Sequence, residues 1–367
     1  MKSTITPVPT ADVTTASKAR GRGPMRSGVV NMKDVAERAG VSTSTVSRVI
    51  AQNPAVHEQT KERVLAAMAD LNYVVNGLAQ SMQGRGSRAV GFLVSHMVGP
   101  TFADVAQGVE EEVAKLGDLL TIITTHADPS GEMKALQQMR EQRARAVLLV
   151  GASPTGQDYE ERLRKYQEFL SATDTQLILC GHQHVSSVPG LQSVDYDNIG
   201  GIRAAVEHLA ALGHRRIAYL GAAEGHSTAE QRLRGFELAM KDSGLDLDPA
   251  IIPASTFEVE PCEAALENLV STGADFTAVI AARDEIAVRA LRVFRNHGLS
   301  VPDDVSLVGF DDMPFMGDLT PALTTVRVPY RELGRRAGML ITDSGPDSPQ
   351  VLPVELVVRA STSALHE

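Results

Sequence analysis

Seven short apolar runs, each followed by an amphipathic helical stretch, constrain the fold of this chain more than any other feature. They begin after Gly86 and read AVGFLV, LLTIITT, AVLLVG, QLILCG, RIAYLGA, TAVIAA and VSLVGFDD. Near-continuous apolar strands that alternate with helices are typical of parallel sheets covered on both faces. Because about 280 residues of such units exceed one comfortable sheet, we expect an α/β domain of two parallel-sheet subdomains with a cleft between them.

A helical pattern precedes these runs. From Met32 to about Tyr73, apolar residues recur every three or four positions in three short bursts, which predicts three short helices that share a small core. The predicted core residues are Val35, Ala36, Ala39, Val41, Val46, Val49, Ile50, Val64, Leu65, Met68 and Leu71. We therefore expect a small all-α unit in front of the α/β domain.

The segment MKDVAERAGVSTSTVSRVI has the pattern of a helix-turn-helix. A first helix over Lys33–Ala39 should end at Gly40, because glycine adopts the left-handed backbone of a tight turn. Ser42 or Thr43 should cap the second helix. Its outer face then carries Thr43, Ser44, Ser47 and Arg48, and short hydroxyls with one guanidinium suit the major groove of DNA. A generic helical hairpin with a solvated polar face is the alternative.

The charge of the chain is divided unevenly. The formal net charge is −10, but residues 1–86 contain 11 Lys and Arg against 6 Asp and Glu, a net of +5 that leaves −15 for the remainder. A basic segment that coincides with a helix-turn-helix pattern favours a nucleic-acid partner.

Cysteine use and apolar segment length indicate the compartment. Cys180 and Cys262 lie far apart without ligand-like spacing, so we expect two buried free thiols and no metal site. We find neither a stretch of about 18 apolar residues nor the apolar core of a secretory signal. We therefore expect a cytoplasmic protein with no membrane partner and no cofactor.

Several further segments carry a family resemblance in addition to the helix-turn-helix string. They read LNYVVNGLAQSMQ, VEHLAALGHRRIAYLG, RLRGFELAM, VPDDVSLVGFDD and PALTTVRVP. In order from about Met32 to Thr362, the chain closely resembles the lactose-repressor (LacI) family of bacterial regulators. The resemblance implies a helix-turn-helix headpiece, a periplasmic-binding-protein-like effector domain, a homodimer, pseudo-palindromic double-stranded operator DNA and a carbohydrate-like small-molecule effector. Repression is the expected outcome.

The resemblance also implies the DNA-binding residues. Thr43 and Ser44 would occupy the two base-reading positions, and Arg48 would lie one turn on. The complete predicted set is Ser42, Thr43, Ser44, Ser47, Arg48, Asn76, Ala79 and Met82. By the same resemblance, Asn76 to Gln83 would form a hinge that folds on operator DNA. Met82 stands where the family has a Leu wedge, and Gln80 stands where it often has Arg. Because Met is flexible and apolar, it can still enter a base step. Burial of Met82 against the regulatory domain is the alternative.

The predicted effector-binding residues are Ser95, Phe102, Arg232, Phe257, Arg283 and Asp311, of which Ser95 is chosen because it follows the strand VGFLV. Phe102 and Phe257 would cover a flat ligand face, although each could equally be core. Arg232 and Asp311 would grip polar groups, or else form a structural ion pair. Arg283 stands where sugar-binding relatives usually carry Asn, which favours an anionic effector because an unpaired buried cation is costly. Pairing of Arg283 with Asp284, Asp311 or Asp312 is the alternative.

The predicted organisation follows from these assignments. It comprises a disordered tail (1–31), the DNA-binding domain (32–75), the hinge and linker (76–86), the effector-binding and dimerisation domain (87–362) and a short tail (363–367), with lobe crossings near 181, 326–329 and 346–351. Because no leucine-rich heptad tail follows Thr362, we expect a dimer.

Two other functions are the alternatives for this chain. An enzyme should display a nucleophile with its base, paired acids or metal ligands, and none is convincing; His182 and His184 are expected on a solvated loop. A sugar-binding module of a transport system is the better rival, because the effector domain resembles periplasmic binding proteins. Such modules are exported and lack a DNA-binding headpiece.

Overall fold

The computed structural model of this chain describes residues 30–51, 53–73, 89–96, 100–342 and 350–365. The chain divides into two compact units at Gly86. Within the described residues, no helix has both the length and the apolar character needed to cross a bilayer.

The first unit contains three helices, and its local signals act as the sequence predicts. They are α1 (Met32–Ala39), α2 (Thr43–Ile50) and α3 (Glu58–Asp70). Asn31 and Asp34 form a capping box at the start of α1, and Gly40 ends the helix with a φ of +64°. Ser42 caps α2, since its hydroxyl accepts a hydrogen bond from the Thr45 amide at 3.2 Å. The turn between α1 and α2 is therefore fixed by local chemistry.

The core of this unit differs from the prediction at one position. Val35, Val46 and Val64 are fully buried at its centre. Leu65 was predicted to join them, but its side chain is 49% exposed, and Ala67 is buried instead. The reason is helical geometry: positions 64, 67, 68 and 71 share one face of α3, whereas 65 lies about 100° away from 64.

The second unit consists of two lobes. Its elements in chain order are β1 (Ala89–Val94), α4 (Thr101–Lys115), β2 (Leu119–Thr124), α5 (Pro129–Glu141), β3 (Ala146–Val150), α6 (Gln157–Ser171), β4 (Gln176–Cys180), β5 (Gln192–Tyr196), α7 (Asn198–Ala211), β6 (Ile217–Leu220), α8 (Ser227–Asp242), α9 (Val259–Ser271), β7 (Ala278–Ala281), α10 (Asp284–Asn296), β8 (Ser306–Asp311), β9 (Thr324–Arg327), α11 (Tyr330–Met339), β10 (Gln350–Leu352) and β11 (Glu355–Val357).

Each lobe is built on one sheet. The first lobe has a six-stranded parallel sheet of order β10-β5-β4-β3-β1-β2, and the second has a five-stranded sheet of order β11-β9-β8-β7-β6. In the second sheet only β11 runs antiparallel, against β9. The predicted α/β class with two parallel-sheet subdomains is confirmed.

The chain passes between the lobes at three places, and the first differs from the prediction. The first passage follows Tyr196 rather than Gly181, because β5 pairs with β4 and extends the first sheet. Ser193 and Asp195 are polar but buried in β5. Because they interrupt the apolar run, the sequence pattern did not predict this strand. The second passage lies between β9 and α11. The third follows Leu352, since residues 350–352 still pair with β5.

Two glycines let α11 return closely onto the first lobe. A Cβ atom on Gly108 of α4 would lie 2.0 Å from the Arg331 carbonyl oxygen, and one on Gly334 of α11 would lie 2.0 Å from the Val105 carbonyl oxygen. Only glycine permits this backbone approach. The contact holds Tyr330, the first residue of α11, at the cleft.

Candidate nucleic-acid interface and effector cavity

The outward face of α2 is polar and accessible. Ser42, Thr43, Ser44 and Arg48 are exposed, and Ser47 is half-buried. The Ser42 hydroxyl lies 2.7 Å from the Ser44 hydroxyl and 2.9 Å from that of Thr45. Short hydroxyls near a helix N-terminus, with a guanidinium one turn later, can approach base edges and phosphates.

Three members of the predicted DNA-binding set, Asn76, Ala79 and Met82, lie outside the described residues. Their roles stay predictions.

The two lobes enclose a cavity of about 630 Å³, at the carboxyl ends of parallel strands where α/β proteins place ligands. All six residues of the predicted effector-binding set line it: Ser95, Phe102, Arg232, Phe257, Arg283 and Asp311. They come from both lobes, and the strand order brings them together.

Arg232 and Asp311 form the centre of a buried network. Arg232 is 1% exposed, and its Nη2 donates to Asp311 Oδ1 at 3.1 Å and to the Tyr196 hydroxyl at 3.1 Å. Its Nε donates to Asn198 Oδ1 at 2.9 Å, and its Nη1 donates to the Ala282 carbonyl. The pair is therefore structural, and it also lines the cavity. The structural ion pair is therefore observed, whereas a contact of either residue with a ligand stays a prediction.

Burial and charge act in opposite directions within this network. Burial alone would lower the pKa of Arg232, but Asp311 raises it above its ordinary value. Burial raises the pKa of Asp311, while Arg232 and the hydrogen bond that the Tyr330 hydroxyl donates at 2.7 Å oppose that rise. Each charge is thus tolerated because the other is present.

The close ion-pair partner of Arg283 is Glu285, which was not predicted, and the predicted Asp311 acts on Arg283 only by raising its pKa. Arg283 pairs with Glu285, with its Nη2 3.0 Å from Oε2, and its Nη1 donates to the Phe257 carbonyl at 3.2 Å. Asp284 instead accepts from Thr325 and from the Met313 amide. Asp312, in turn, pairs with Arg327 and Arg359. Because Glu285 already neutralises Arg283, this arginine does not require an anionic effector.

Phe102 and Phe257 form aromatic walls on opposite lobes. The His226 ring lies 4.4 Å from the Phe257 ring, centroid to centroid, and the Phe102 ring packs where a Gly151 side chain would be. Both phenylalanines also pack partly against the main core. Each ring therefore packs against the core and lines the cavity, and its contact with a ligand stays a prediction.

Sequence reasoning missed several cavity residues. Tyr196, His226, Tyr330, Glu132 and Arg162 also line the cavity. Tyr196 ends a strand, and Glu132 lies in the first turn of a helix that follows a strand. Position relative to strand ends is the signal that would have identified these two. Arg162, in the second turn of α6, has no such signal.

Hydrogen bonds join the lobes beside the cavity. The Ser227 amide donates to the Ser153 carbonyl at 2.9 Å, and the Ser153 amide donates to the Ser227 hydroxyl at 3.0 Å. The Thr155 hydroxyl donates to Glu230 at 3.0 Å. These bonds stabilise one relative arrangement of the lobes.

The predicted solvated histidine loop is wrong for His182. This side chain is buried and lies 3.1 Å from the Tyr159 hydroxyl through its Nδ1, and burial lowers its pKa to about 3. His184 is half-buried. Cys180 and Cys262 are buried free thiols, as predicted.

Two family models match the chain. The model for bacterial regulatory proteins of the lacI family matches residues 31–76. The model for a periplasmic binding protein-like domain matches residues 206–362.

Curated relatives match nearly end to end. The HTH-type transcriptional regulator DegA of Bacillus subtilis is 30% identical over 341 residues, which is 91% of this chain and 98% of DegA. The HTH-type transcriptional repressor PurR of Photobacterium profundum is 31% identical over 343 residues, 92% of this chain and 100% of PurR.

Among solved structures, a lac repressor dimer bound to operator and the anti-inducer ONPF is similar, with a TM-score of 0.81 and 28% identity. The match covers 92% of this chain and 100% of that one. A transcriptional regulator CelR in complex with cellobiose has a TM-score of 0.65 and 28% identity.

Proposed function

The chain belongs to the lacI family of bacterial regulatory proteins, and from this premise we propose how it acts. It is a DNA-binding transcription regulator controlled by a small-molecule effector. We propose that α2 reads a pseudo-palindromic operator and that a ligand in the cavity decides whether the protein stays bound. The observation that carries the proposal is that six residues scattered between positions 95 and 311 line one cavity.

For DNA binding, we propose that Thr43 and Ser44 contact base edges and that Arg48 grips guanine or phosphate. Their exposure supports this, because none of these side chains is needed in the core. Repression is the proposed outcome, since PurR of Photobacterium profundum is named a repressor.

A homodimer is proposed on two grounds. A pseudo-palindromic operator requires two-fold symmetry, and the similar lac repressor structure is a dimer. In this chain, the edge strand β2 leaves Leu119 69% exposed and Ile122 42% exposed. An apolar open edge is a site for covering by another chain, and a second copy would bury it.

For the effector, we propose a neutral polyhydroxylated molecule, which is a carbohydrate or a close derivative. The three arginines of the cavity each lie beside a carboxylate, Arg232 by Asp311, Arg283 by Glu285 and Arg162 by Glu132. A hydroxyl can accept from a guanidinium and donate to a carboxylate, so such pairs suit polyols. The aromatic walls suit the apolar faces of sugar rings.

The proposed control is a shift in population. An effector acts only through different affinities for the DNA-competent and incompetent arrangements of the lobes. The hydrogen bonds between Ser153 and Ser227 stabilise one of these arrangements. We propose that the ligand is bound without being transformed and that the protein acts in the cytoplasm, on DNA.

The test is selection of DNA from a random duplex library by the purified protein, with neutral sugars and sugar phosphates added in separate arms. We expect enrichment of a two-fold symmetric site, and a change in its retention with a neutral sugar. No preference over random competitor in any arm contradicts the regulator proposal and favours the transport-module alternative. A response to sugar phosphates alone contradicts only the neutral-effector proposal.

A further inference from the structure

The three arginines that line the cavity differ in how many of their donors are already used. Arg232 donates to four groups of the protein. Arg283 donates to Glu285 and to the Phe257 carbonyl. Arg162 makes no hydrogen bond within the described part of the chain, and its buried Nε has no hydrogen-bond partner there. A guanidinium carries five donors, so Arg162 offers unused binding capacity to the cavity.

Arg162 is nevertheless held in place. Its Nε lies 3.6 Å from Glu132 Oε2, which is an ion-pair contact beyond hydrogen-bond distance. Its guanidinium carbon lies 5.0 Å from the centre of the Tyr159 ring, within the range of a cation–π contact. The side chain is 23% exposed. The donors are therefore positioned before a ligand arrives, which reduces the entropy lost on binding.

Glu132 is fixed independently. The Tyr166 hydroxyl donates to Glu132 Oε2 at 2.7 Å, which leaves Oε1 of this carboxylate to accept from a ligand. Glu132 and Arg162 both line the cavity from the first lobe, whereas Arg232, Arg283 and their carboxylates line it from the second. The first lobe thus has its own donor and acceptor pair.

We infer that Glu132 and Arg162 form a second polyol subsite, which binds hydroxyls of a ring other than the one held by the second lobe. A hydroxyl there accepts from Arg162 and donates to Glu132. This inference rests on the proposed neutral polyhydroxylated effector and deepens it, because polar subsites on both lobes select a ligand with two polar ends, such as a disaccharide. A volume of about 630 Å³ lies in the middle of the usual range for ligand cavities.

A small chamber beside the cavity supports this assignment. Its volume is about 30 Å³, and Ser95, Glu132 and Ser153 line both spaces. Polar and apolar residues share its lining, and a chamber of that size has room for a water molecule. A water there can extend the hydrogen bonds of a hydroxyl bound between Glu132 and Ser153.

The test compares Arg162→Met with Arg164→Met in the full-length protein. Met retains the apolar stem of Arg162 and removes its donors, and the exposed Arg164 on the same helix is the matched control. Glucose, galactose, cellobiose, maltose, lactose and melibiose are titrated by calorimetry. For a disaccharide that binds the wild type, we expect at least tenfold weaker binding to Arg162→Met, while its constituent monosaccharide changes less than threefold. Arg164→Met should match the wild type for both.

The possible outcomes separate the two proposals. Two results overturn the subsite and leave the neutral-effector proposal intact. In the first, monosaccharides bind the wild type as tightly as the disaccharides do. In the second, Arg162→Met loses the same factor of affinity for both kinds of sugar. Failure of all six sugars to bind the wild type overturns the neutral-sugar proposal, and the subsite with it. If Arg162→Met melts at a lower temperature than the wild type, Glu132→Gln gives the same comparison, because its amide oxygen still accepts from Tyr166.

Discussion

The exposed face of α2 and the second-lobe wall of the cavity are both polar and both face a proposed partner, yet they are built differently. On α2, the hydroxyls contact each other and solvent, and the core lies on the opposite side of the helix. In the wall, Arg232 and Asp311 are buried and tied to side chains from several elements. Polar groups form the surface in one region and part of the interior in the other.

The residues proposed to recognise DNA on α2 contribute little to stability, whereas the residues of the cavity wall contribute to both stability and the proposed ligand site. An exposed hydroxyl on α2 can be exchanged without leaving a buried group unpaired. Removal of a wall residue leaves its partner buried and uncompensated, which is costly. We therefore expect the headpiece to accept changes in DNA specificity more readily than the wall accepts changes in effector.

The largest expected effect is on Arg232→Met. This change leaves the Asp311 carboxylate buried without its cation, and loss of one partner of a buried pair costs about 3–5 kcal/mol. Chemical denaturation monitored by circular dichroism measures the free energy of unfolding. Arg203→Met is the control, because its pair with Asp242 lies at the surface, and it should change stability little. A loss for Arg232→Met no larger than that of the control would remove the distinction between the two regions.

A smaller effect on stability is expected when the pH is lowered, because of His226. Its ring lies against the Phe257 ring in the wall at an interplanar angle of 33°. Burial, then Arg232 and Arg283, lowers its pKa to about 4. Its neutral Nδ1 also accepts from the Ala229 amide at the start of α8. In the unfolded state the pKa of a histidine is about 6.5, so below that pH the unfolded chain binds a proton that the folded protein does not. The contribution of neutral His226 to stability is therefore fully present above pH 6.5 and is lost as the pH falls towards 4.

His226→Asn isolates this contribution, because asparagine is a good helix N-cap that does not titrate. Between pH 7 and pH 5, the wild type should lose about 1–2 kcal/mol more unfolding free energy than His226→Asn. Parallel pH profiles for the two proteins would show that His226 is not held neutral in the folded wall.

The smallest expected effect is on Ser44→Ala in α2. It removes one proposed base contact, so affinity for the selected operator should fall about tenfold, near the lower end of 1–3 kcal/mol per specific contact. The melting temperature should not change. Binding is measured by fluorescence anisotropy against the selected duplex and a scrambled duplex, with exposed Gln59→Ala on α3 as the control. Equal losses on both duplexes would assign Ser44 to nonspecific phosphate binding.

Much of the fold and the site could be predicted because the relevant signals are local. The turn at Gly40 and the cap at Ser42 depend on neighbouring residues, and the strands of the sheets are continuous apolar runs. The six cavity-lining positions were predicted largely from a resemblance that extends along the chain. By contrast, β5 was not recognised, because its buried Ser193 and Asp195 interrupt the apolar pattern.

The sequence by itself determined the helix-turn-helix, the alternation of strands and helices, and the residue types that face the cleft. The tertiary structure decided which charges neutralise each other. Glu132 and Arg162 come from different helices, and Arg232 meets Asp311 across 79 positions of sequence. The physical reason is that helical and strand patterns depend on neighbours a few residues apart, whereas ion pairing depends on distances that strand order and helix packing establish.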